Sequence, residues 1–460
     1  MGRYLTPSGG MTAGVLLLTG LWAVGCAQSG DRLPPAALAS EPETTAALGR
    51  TPAQQASKPA PKTTGWSGES GASGHPEMKA GAIRTAATNF SACIAGLWPE
   101  AARRGVSRAN FAAHTANLTP DLDIMERLDR QPEFTKAFWD YIDGAVTEAR
   151  IKRGRELLAQ HQPVFDAAER SYGVDRYVIA AIWGLESNFG GFTGDRPVLR
   201  STATLACVGR RQKYFRDEFL SALEIVHGGD IRADQLNGSW AGAFGPTQFM
   251  PTTFQRYAVD FDGDGRRNFV GSAADMIGST ANKLNKDGWQ GGETWGYEVV
   301  VPRGFNYLLA DKSRQLTIRD WERQGIRRVG GQPFPRPDDR GYLLVPAGAQ
   351  GPAFVMLRNF RVIMRYNPSE AYALAIGHLA DRLRGGGPFA QPWPRHERVL
   401  SRSERLELQE HLTRMGYDIG RPDGRLGTKT RTALRAFQRK AGKVPDGFAS
   451  ASVLTALRQL

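Results

Sequence analysis

The segment from Asp175 to Gly191 constrains the fold of this chain more than any other stretch. Asp175 is a suitable N-cap, and two adjacent glycines, Gly190 and Gly191, close the segment. Apolar residues recur between them at helical spacing: Val178, Ile179, Ile182 and Leu185. The pattern predicts a buried helix that other helices must surround, with Glu186 in its last turns. The partial negative charge of a helix C-terminus favours a proton on a carboxyl placed there.

Flanking segments predict more helices and then a small sheet. Helical spacing occurs in 134–142, 150–172 and 369–383. Runs of β-branched and aromatic residues predict short strands at 297–301, 342–345 and 354–357. We therefore predict a mainly α (α+β) domain over about residues 85–385.

The N-terminus has the pattern of an export signal. Arg3 precedes an apolar stretch from Met11 to Val24 that is too short to span a bilayer. Small residues then precede Cys26, which predicts a lipoprotein-type signal over 1–26 with Cys26 as the lipidated residue; plain secretion is the other interpretation. Residues 27–80 are rich in Pro, Ala, Ser and Thr and predict a disordered tether.

Export changes what the charge and the cysteines mean. With 59 Lys and Arg against 46 Asp and Glu, the chain carries +13 and favours anionic partners, but export argues against nucleic acid. Cys93 and Cys207 remain in an oxidising compartment. They form either a disulfide or two separately buried thiols.

Glu186 and a second segment, Gly242–Pro251, indicate glycosidic chemistry. This segment is a loop punctuated by Gly and Pro, with the amide of Gln248 in its middle. Bond cleavage between sugars usually needs two carboxylates, and no second acid is comparably placed. One acid suffices where the substrate supplies its own nucleophile, such as the C6 hydroxyl of muramic acid, whose proton the ionised Glu186 would accept.

These segments resemble the membrane-bound lytic murein transglycosylase B family over about residues 85–385. The residues that carry the resemblance are Glu186-Ser, Phe189-Gly190, Gly238-Ser239, Gly242-Ala243, Gly245, Gln248-Phe-Met-Pro251, Tyr257-Ala-Val-Asp260 and Arg365-Tyr-Asn367. The resemblance implies a lysozyme-like helical domain that acts on peptidoglycan glycan strands without a catalytic cofactor. It implies Glu186 as catalytic acid and base.

The resemblance also implies a set of substrate-binding residues: Ser239, Gln248, Tyr366, Asn367, Arg210, Arg211 and Tyr214. In a second interpretation, the side chains of Ser239 and Gln248 only form hydrogen bonds with loop backbone groups. Tyr366 would then pack in the core, and Asn367 would initiate a turn. The sequence departs from the family at Lys283, which stands where the family has a cleft tyrosine.

Oxygen ligands alternate in the segment 260–268. Asp260, Asp262 and Asp264 are spaced as ligands of a hard cation, with a glycine at the sixth position. Gly271 occupies the twelfth position, where a glutamate is usual, and the resemblance suggests that Asp275 closes the site. We expect a structural Ca²⁺; the other interpretation is an Asp/Gly turn stabilised by its own side chains.

A linker over 386–399 leads to a small C-terminal module over 400–460. Three helical patterns run over 404–415, 428–440 and 450–457, and Pro-Asp-Gly occurs at 422–424 and again at 445–447. This internal half-repeat resembles the peptidoglycan-binding domain of cell-wall hydrolases.

The sequence therefore predicts an exported lytic transglycosylase that cuts the β-1,4 bond between N-acetylmuramic acid and N-acetylglucosamine. Its partners would be peptidoglycan strands and, through Cys26, a bacterial membrane facing the periplasm, with the outer membrane favoured. Two other interpretations stay open: a hydrolytic muramidase on the same fold, and a non-catalytic scaffold that binds the cell wall.

Overall fold

The computed structural model describes residues 66–71, 74–128 and 137–459. The predicted signal, Cys26 and most of the predicted tether lie outside these residues. The helices are α1 Ala80–Thr88, α2 Phe90–Gly96, α3 Trp98–Arg103, α4 Arg108–Thr115, α5 Ile124–Arg127, α6 Phe138–Ala145, α7 Glu148–Gln160, α8 Gln162–Tyr172, α9 Arg176–Ser187, α10 Val198–Cys207, α11 Gln212–Gly228, α12 Pro251–Tyr257, α13 Ala273–Lys286, α14 Ile318–Arg323, α15 Arg358–Tyr366, α16 Glu370–Arg384, α17 Arg402–Arg414, α18 Thr428–Lys440 and α19 Ala451–Arg458. The strands are β1 Arg196–Pro197, β2 Asn237–Gly238, β3 Gly296–Val300, β4 Leu316–Thr317, β5 Arg327–Arg328, β6 Arg340–Leu344 and β7 Ala353–Met356.

Helix α9 lies at the centre of the main core, as its apolar pattern predicts. Asp175 caps it by accepting a hydrogen bond from the Tyr177 N–H at 2.8 Å. The helix ends earlier than the glycine pair suggests, because Asn188 and Phe189 both adopt positive φ angles, 50° and 59°. The Phe189 ring then folds back onto Gly184, where a Cβ would lie 2.6 Å from the ring, so only glycine fits at that position.

Helix α16 packs against α9 in the main core. Ser369 caps α16 by accepting from the Tyr372 N–H, and Leu374, Ile376 and Leu379 are fully buried in the main core. The helical run predicted over 150–172 is two helices, because α7 ends at Gln160 and α8 begins at Gln162 with a proline in its first turn.

A five-stranded antiparallel sheet follows the helical core, in the order β4-β6-β7-β3-β5. Its three longest strands are the three that the sequence predicts. One face covers a separate apolar cluster around Trp321, while Tyr342, Phe354 and Met356 join the main core. A mainly α domain with a small sheet is thus the observed fold class.

The folded part begins before residue 80, earlier than predicted. Met78 is fully buried in the main core, and Ser67 donates its N–H to the Glu126 carboxylate at 3.0 Å. Cys93 in α2 and Cys207 at the end of α10 form a disulfide, which decides between the two alternatives for these cysteines.

The last three helices form a module with a core of its own around Leu408, Leu434 and Phe437. Ser401 and Glu404 form a reciprocal capping box at the start of α17. Among the described residues, no helix combines the length and the apolar character needed to cross a bilayer.

Candidate active site

Glu186 lies in the last turn of α9 and is half-buried. The Tyr372 hydroxyl, from α16, donates a hydrogen bond to Glu186 Oε1 at 2.6 Å. Burial and the nearby Glu186 carboxylate raise the pKa of Tyr372 well above its usual value, so the phenol keeps its proton and remains a donor. Glu186 therefore has one carboxylate oxygen fixed in direction by a buried partner.

A loop of residues 245–248 lies against this pair and is anchored from three sides. The Ser187 hydroxyl, next to Glu186 in the chain, donates to the Pro246 carbonyl at 2.6 Å. The Tyr366 hydroxyl donates to the Thr247 carbonyl, also at 2.6 Å. The Thr247 side chain meets the Thr280 hydroxyl at 2.9 Å inside the core. The acid-bearing helix end and the loop thus form one rigid unit.

Gln248 holds a left-handed backbone with a φ of 53° in this loop. Its Nε2 donates to the carbonyls of Thr193 and Gly245, both at 3.0 Å. Its Oε1 has no partner among the described residues and is the group left to meet a ligand. Gln248 therefore satisfies loop backbone groups and still offers one acceptor.

Tyr366 ends α15 beside the Glu186–Tyr372 pair. Burial and the Glu186 charge raise its pKa well above the usual value, which keeps its hydroxyl protonated. The next residue, Asn367, is half-buried, and only its backbone makes hydrogen bonds to other described residues. Ser239 lies in the turn after β2, where its hydroxyl accepts from the Ala243 N–H at 3.1 Å. Its observed bonds are those of a loop-stabilising residue.

Lys283, the departure from the family pattern, is buried next to Tyr366 with 8% of its surface exposed. Its ammonium pairs with Asp287 at 2.6 Å and lies 4.9 Å from the Tyr366 ring centre and 5.4 Å from that of Tyr257. A lysine is tolerated here because a carboxylate and two ring faces compensate for the loss of water.

Arg210, Arg211 and Tyr214 form a separate group at the start of α11. Arg210 donates to the Leu128 carbonyl at 2.7 Å, and the Arg211 guanidinium lies 4.5 Å from the Tyr214 ring centre. The structure thus brings together Glu186, Gln248 and Tyr366, while Arg211 and Tyr214 are exposed at the start of α11.

Other acids that follow Glu186 in the chain have different partners or lie on the surface. Asp217 pairs with Arg104 at 2.7 Å, and Glu218 is buried and accepts from the Thr252 N–H and hydroxyl. Asp195 is exposed and contacts no acid of the site. Asp287, which is also near Tyr366, is ion-paired with Lys283. Asp217, Glu218 and Asp287 therefore each have a partner other than Glu186.

The predicted cation loop has its three aspartates together. Oxygens of Asp260, Asp262 and Asp264 lie within 4.8 Å of one another on the exposed surface, a donor set suited to a hard cation. Asp275 is placed differently from the expectation. It is fully buried, and its carboxylate accepts from the backbone N–H groups of Phe261, Asp262 and Asn268.

Sequence reasoning missed Tyr372 and Ser187. Tyr372 lies in an Ala- and Leu-rich helix, where a tyrosine is usually a core residue, and 3% exposure supports that view except for its hydroxyl. The signal that could have identified it is its position one turn into a capped helix that follows Tyr366. Ser187 could have been found from its place beside the acid, where a serine inside an apolar helix needs an acceptor.

Comparison with known proteins agrees with this geometry. Residues 89–381 match the transglycosylase SLT domain family, and residues 401–457 match the peptidoglycan binding domain family. Over 242 residues the chain is 32% identical to membrane-bound lytic murein transglycosylase B of Escherichia coli (strain K12). That alignment covers 51% of this chain and 64% of the relative, so the chain spans slightly less than two thirds of that protein.

Two solved structures are similar to a large part of this chain. SltB3 from Pseudomonas aeruginosa, in complex with NAG-NAM-pentapeptide, is 43% identical with a TM-score of 0.77, covering 80% of this chain and 99% of that one. The Escherichia coli lytic transglycosylase Slt35, in complex with calcium, is 26% identical with a TM-score of 0.54, covering 64% of this chain and 92% of that one. These matches confirm the resemblance and the fold class predicted from sequence. The match to the transglycosylase SLT domain family covers residues 89–381, which is well over half of the chain. This chain therefore belongs to the transglycosylase SLT domain family and carries a peptidoglycan-binding domain at its C-terminus.

Proposed function

We propose that this protein is a lytic transglycosylase that cleaves the β-1,4 bond between N-acetylmuramic acid and N-acetylglucosamine in peptidoglycan. The observation that carries the proposal is Glu186 held by the Tyr372 hydroxyl at 2.6 Å, at a helix end fixed to the 245–248 loop. Family membership and the peptidoglycan-binding domain support the same substrate.

The proposed reaction uses Glu186 twice. Protonated Glu186 gives its proton to the bridging oxygen as the bond to C1 breaks, which leaves an oxocarbenium-like muramoyl group. The C6 hydroxyl of the same sugar then bonds to C1 and gives its proton to the ionised Glu186. A 1,6-anhydro end forms, no water is consumed, and Glu186 returns to its starting state.

The hydrogen bond from Tyr372 suits this double role. A neutral phenol donates to the carboxylate in its ionised state and keeps the other carboxyl oxygen directed at the substrate. The hydroxyl of Tyr366 and the Nε2 of Gln248 are both bound to backbone carbonyls, so the walls around the acid keep their shape. Such fixed walls lower the reorganisation needed at the transition state.

The test is product analysis of purified peptidoglycan digested by the wild type, by Glu186→Gln and by Glu410→Gln. Glu410 is an exposed acid of α17 and serves as a matched control. We expect anhydro ends from the wild type and from the control, and a loss of about 10²- to 10⁴-fold in rate for Glu186→Gln. Reducing ends that carry solvent oxygen would assign the protein as a hydrolytic muramidase. Unchanged lysis by Glu186→Gln would assign the activity to another site or leave a scaffold role.

We further propose a periplasmic location with a lipid anchor at Cys26, with the outer membrane as the favoured membrane. The small residues before Cys26 and the kinship with a membrane-bound relative support it. Labelling cells with a fatty-acid analogue tests it: the wild type should carry the label, and Cys26→Ser should not.

Calcium binding at Asp260, Asp262 and Asp264 is a separate proposal, with a structural role. The three carboxylates supply hard oxygen donors, and the neighbour Slt35 is a calcium complex. When bound, the ion would offset two of the three adjacent negative charges. Thermal unfolding should shift upward with Ca²⁺ for the wild type and stay fixed for Asp262→Asn; equal shifts would contradict the site.

A further inference from the structure

The two Pro-Asp-Gly turns of the C-terminal module, called here the first turn (422–424) and the second turn (445–447), are built alike. In the second turn, Gln438 Oε1 accepts from the Gly447 N–H at 2.7 Å, and Gln438 Nε2 donates to Asp446 Oδ1 at 2.8 Å. Asp446 Oδ1 also accepts from the Phe448 N–H at 2.8 Å. Gly447 has a φ of 77°.

The first turn repeats each of these bonds. Gln409 Oε1 accepts from the Gly424 N–H at 2.7 Å, and Gln409 Nε2 donates to Asp423 Oδ1 at 3.3 Å. Asp423 Oδ1 accepts from the Arg425 N–H at 2.8 Å, and Gly424 has a φ of 73°. The sequence repeat is therefore a repeat of structure, with Asp423 equivalent to Asp446.

The two aspartates differ only in the use of the outer oxygen. Asp446 Oδ2 accepts a backbone N–H from outside the module, that of Ala349, at 2.8 Å. Asp423 is exposed, and its Oδ2 has no partner among the described residues. The second turn thus demonstrates, within this chain, what the outer oxygen of such a turn binds: the amide N–H of a peptide.

The position beside each turn also differs in a way that points to the ligand. Three residues before Gln438, Arg435 donates to the Ala310 carbonyl at 3.1 Å and helps to dock the module. The residue three before Gln409 is Leu406, which is 36% exposed. By the repeat, Leu406 occupies the position of Arg435, so the first turn has an exposed apolar side chain where the second turn has a guanidinium; the Arg402 side chain also lies within 4 Å of a Cβ built at Gly424.

The backbone that occupies the second turn has an unusual conformation. Gly348, just before the bound amide, has a φ of 66°, and an L-side chain there would collide with Asp446 Oδ2. A D-amino acid adopts positive φ readily and directs its side chain away from the position that an L-residue would use. Peptidoglycan stem peptides contain D-amino acids, D-alanine among them, whose methyl group suits contact with Leu406.

We infer that the first turn is the ligand site of the module, where Asp423 Oδ2 accepts an amide N–H of a D-residue in the peptidoglycan stem peptide and Leu406 contacts its small side chain. The inference rests on the proposed function only for the choice of polymer. The second turn, bound to the chain's own backbone, is not available for this role.

The test uses full-length protein with Glu186→Gln, so that the polymer stays intact, in sedimentation with purified insoluble peptidoglycan. Asp423→Asn keeps Oδ1 as an acceptor for Gln409 and Arg425 and changes only the outer oxygen to a donor. We expect its Kd to rise at least fivefold. Asp418→Asn is the matched control, because Asp418 is an exposed acid of the same module paired with Lys429, and its Kd should stay that of the parent.

Leu406→Glu gives a second variant that leaves the turn itself unaltered, and it should also weaken binding at least fivefold. Peptidoglycan stripped of stem peptides by an amidase should bind the parent and Asp423→Asn equally. Parent-like affinity of both variants would overturn the inference. An Asp423-dependent affinity that survives on stripped strands would assign the amide to the acetamido groups of the glycan and overturn the stem-peptide assignment. The outcome is independent of the product analysis, since anhydro and reducing ends are not read in this assay.

Discussion

The hydrogen bond from Tyr372 to Glu186 gives the sharpest test of the active-site geometry. Tyr372→Phe removes one hydroxyl and leaves the ring, which is 3% exposed, in place. The bond is 2.6 Å long, within the range of charge-assisted O–H···O⁻ bonds. We therefore expect the substitution to act on the acid and to leave the core packed.

Its size follows from the strength of such a bond. A hydrogen bond to a charged group contributes about 1.5–3 kcal/mol, and about 1.36 kcal/mol corresponds to a tenfold change in rate. If Glu186 loses this bond in the transition state, kcat should fall roughly 10- to 150-fold. KM should change little, because the hydroxyl is spent on Glu186 and is not offered to the substrate.

The control is Tyr342→Phe, since Tyr342 is also 3% exposed and donates to a glutamate, Glu370, at 3.3 Å. Release of anhydro-muropeptides from purified peptidoglycan measures kcat and KM for both variants. We expect Tyr342→Phe to retain wild-type kcat with a small loss of stability. A kcat for Tyr372→Phe within twofold of wild type, or an equal fall for Tyr342→Phe, would refute the reasoning.

Two further predictions concern buried ionisable groups. Lys283→Met leaves the Asp287 carboxylate unpaired, and we expect the free energy of unfolding to fall by about 3–5 kcal/mol, with most of it recovered in Lys283→Met/Asp287→Asn; chemical denaturation measures both, and equal stability of the two variants would contradict the prediction. Burial lowers the pKa of His378 from 6.5 to about 4, so between these values the unfolded state binds a proton that the folded state does not. The free energy of unfolding should therefore rise by about 3 kcal/mol from pH 4 to pH 7 on account of this residue, and His378→Phe should lose that part of the slope in urea titrations at several pH values. Parallel pH curves for the wild type and the variant would argue against it.

The local elements followed from the sequence to a large extent. Helix α9, the three longer strands and the three C-terminal helices each had a periodic apolar pattern, which depends only on neighbours along the chain. The end of α9 did not follow, because the positive φ angles of Asn188 and Phe189 depend on the packing of the Phe189 ring against Gly184. The start of the fold was also placed too late, since the burial of Met78 depends on distant helices.

The site divides in the same way. Glu186 and Gln248 were found because both lie in unusual local contexts, an acid at an apolar helix end and an amide between glycines. Tyr372 was missed because its partner is 186 residues away in the chain. The predicted role of Asp275 as a fourth cation ligand came from the family resemblance, whereas in the folded loop three backbone N–H groups donate to its carboxylate.

The sequence by itself determined the helical class, the position of the acid, the half-repeat of the C-terminal module and the likeness to a family. Each of these depends only on the spacing of residues or on the order of motifs along the chain. Only the tertiary structure decided which oxygen of Glu186 is held, that Cys93 and Cys207 are joined, and that one Pro-Asp-Gly turn is occupied while its copy is exposed. The physical reason is that these features are contacts between groups far apart in the chain. Such contacts depend on how helices and loops pack in three dimensions, which local pattern does not encode.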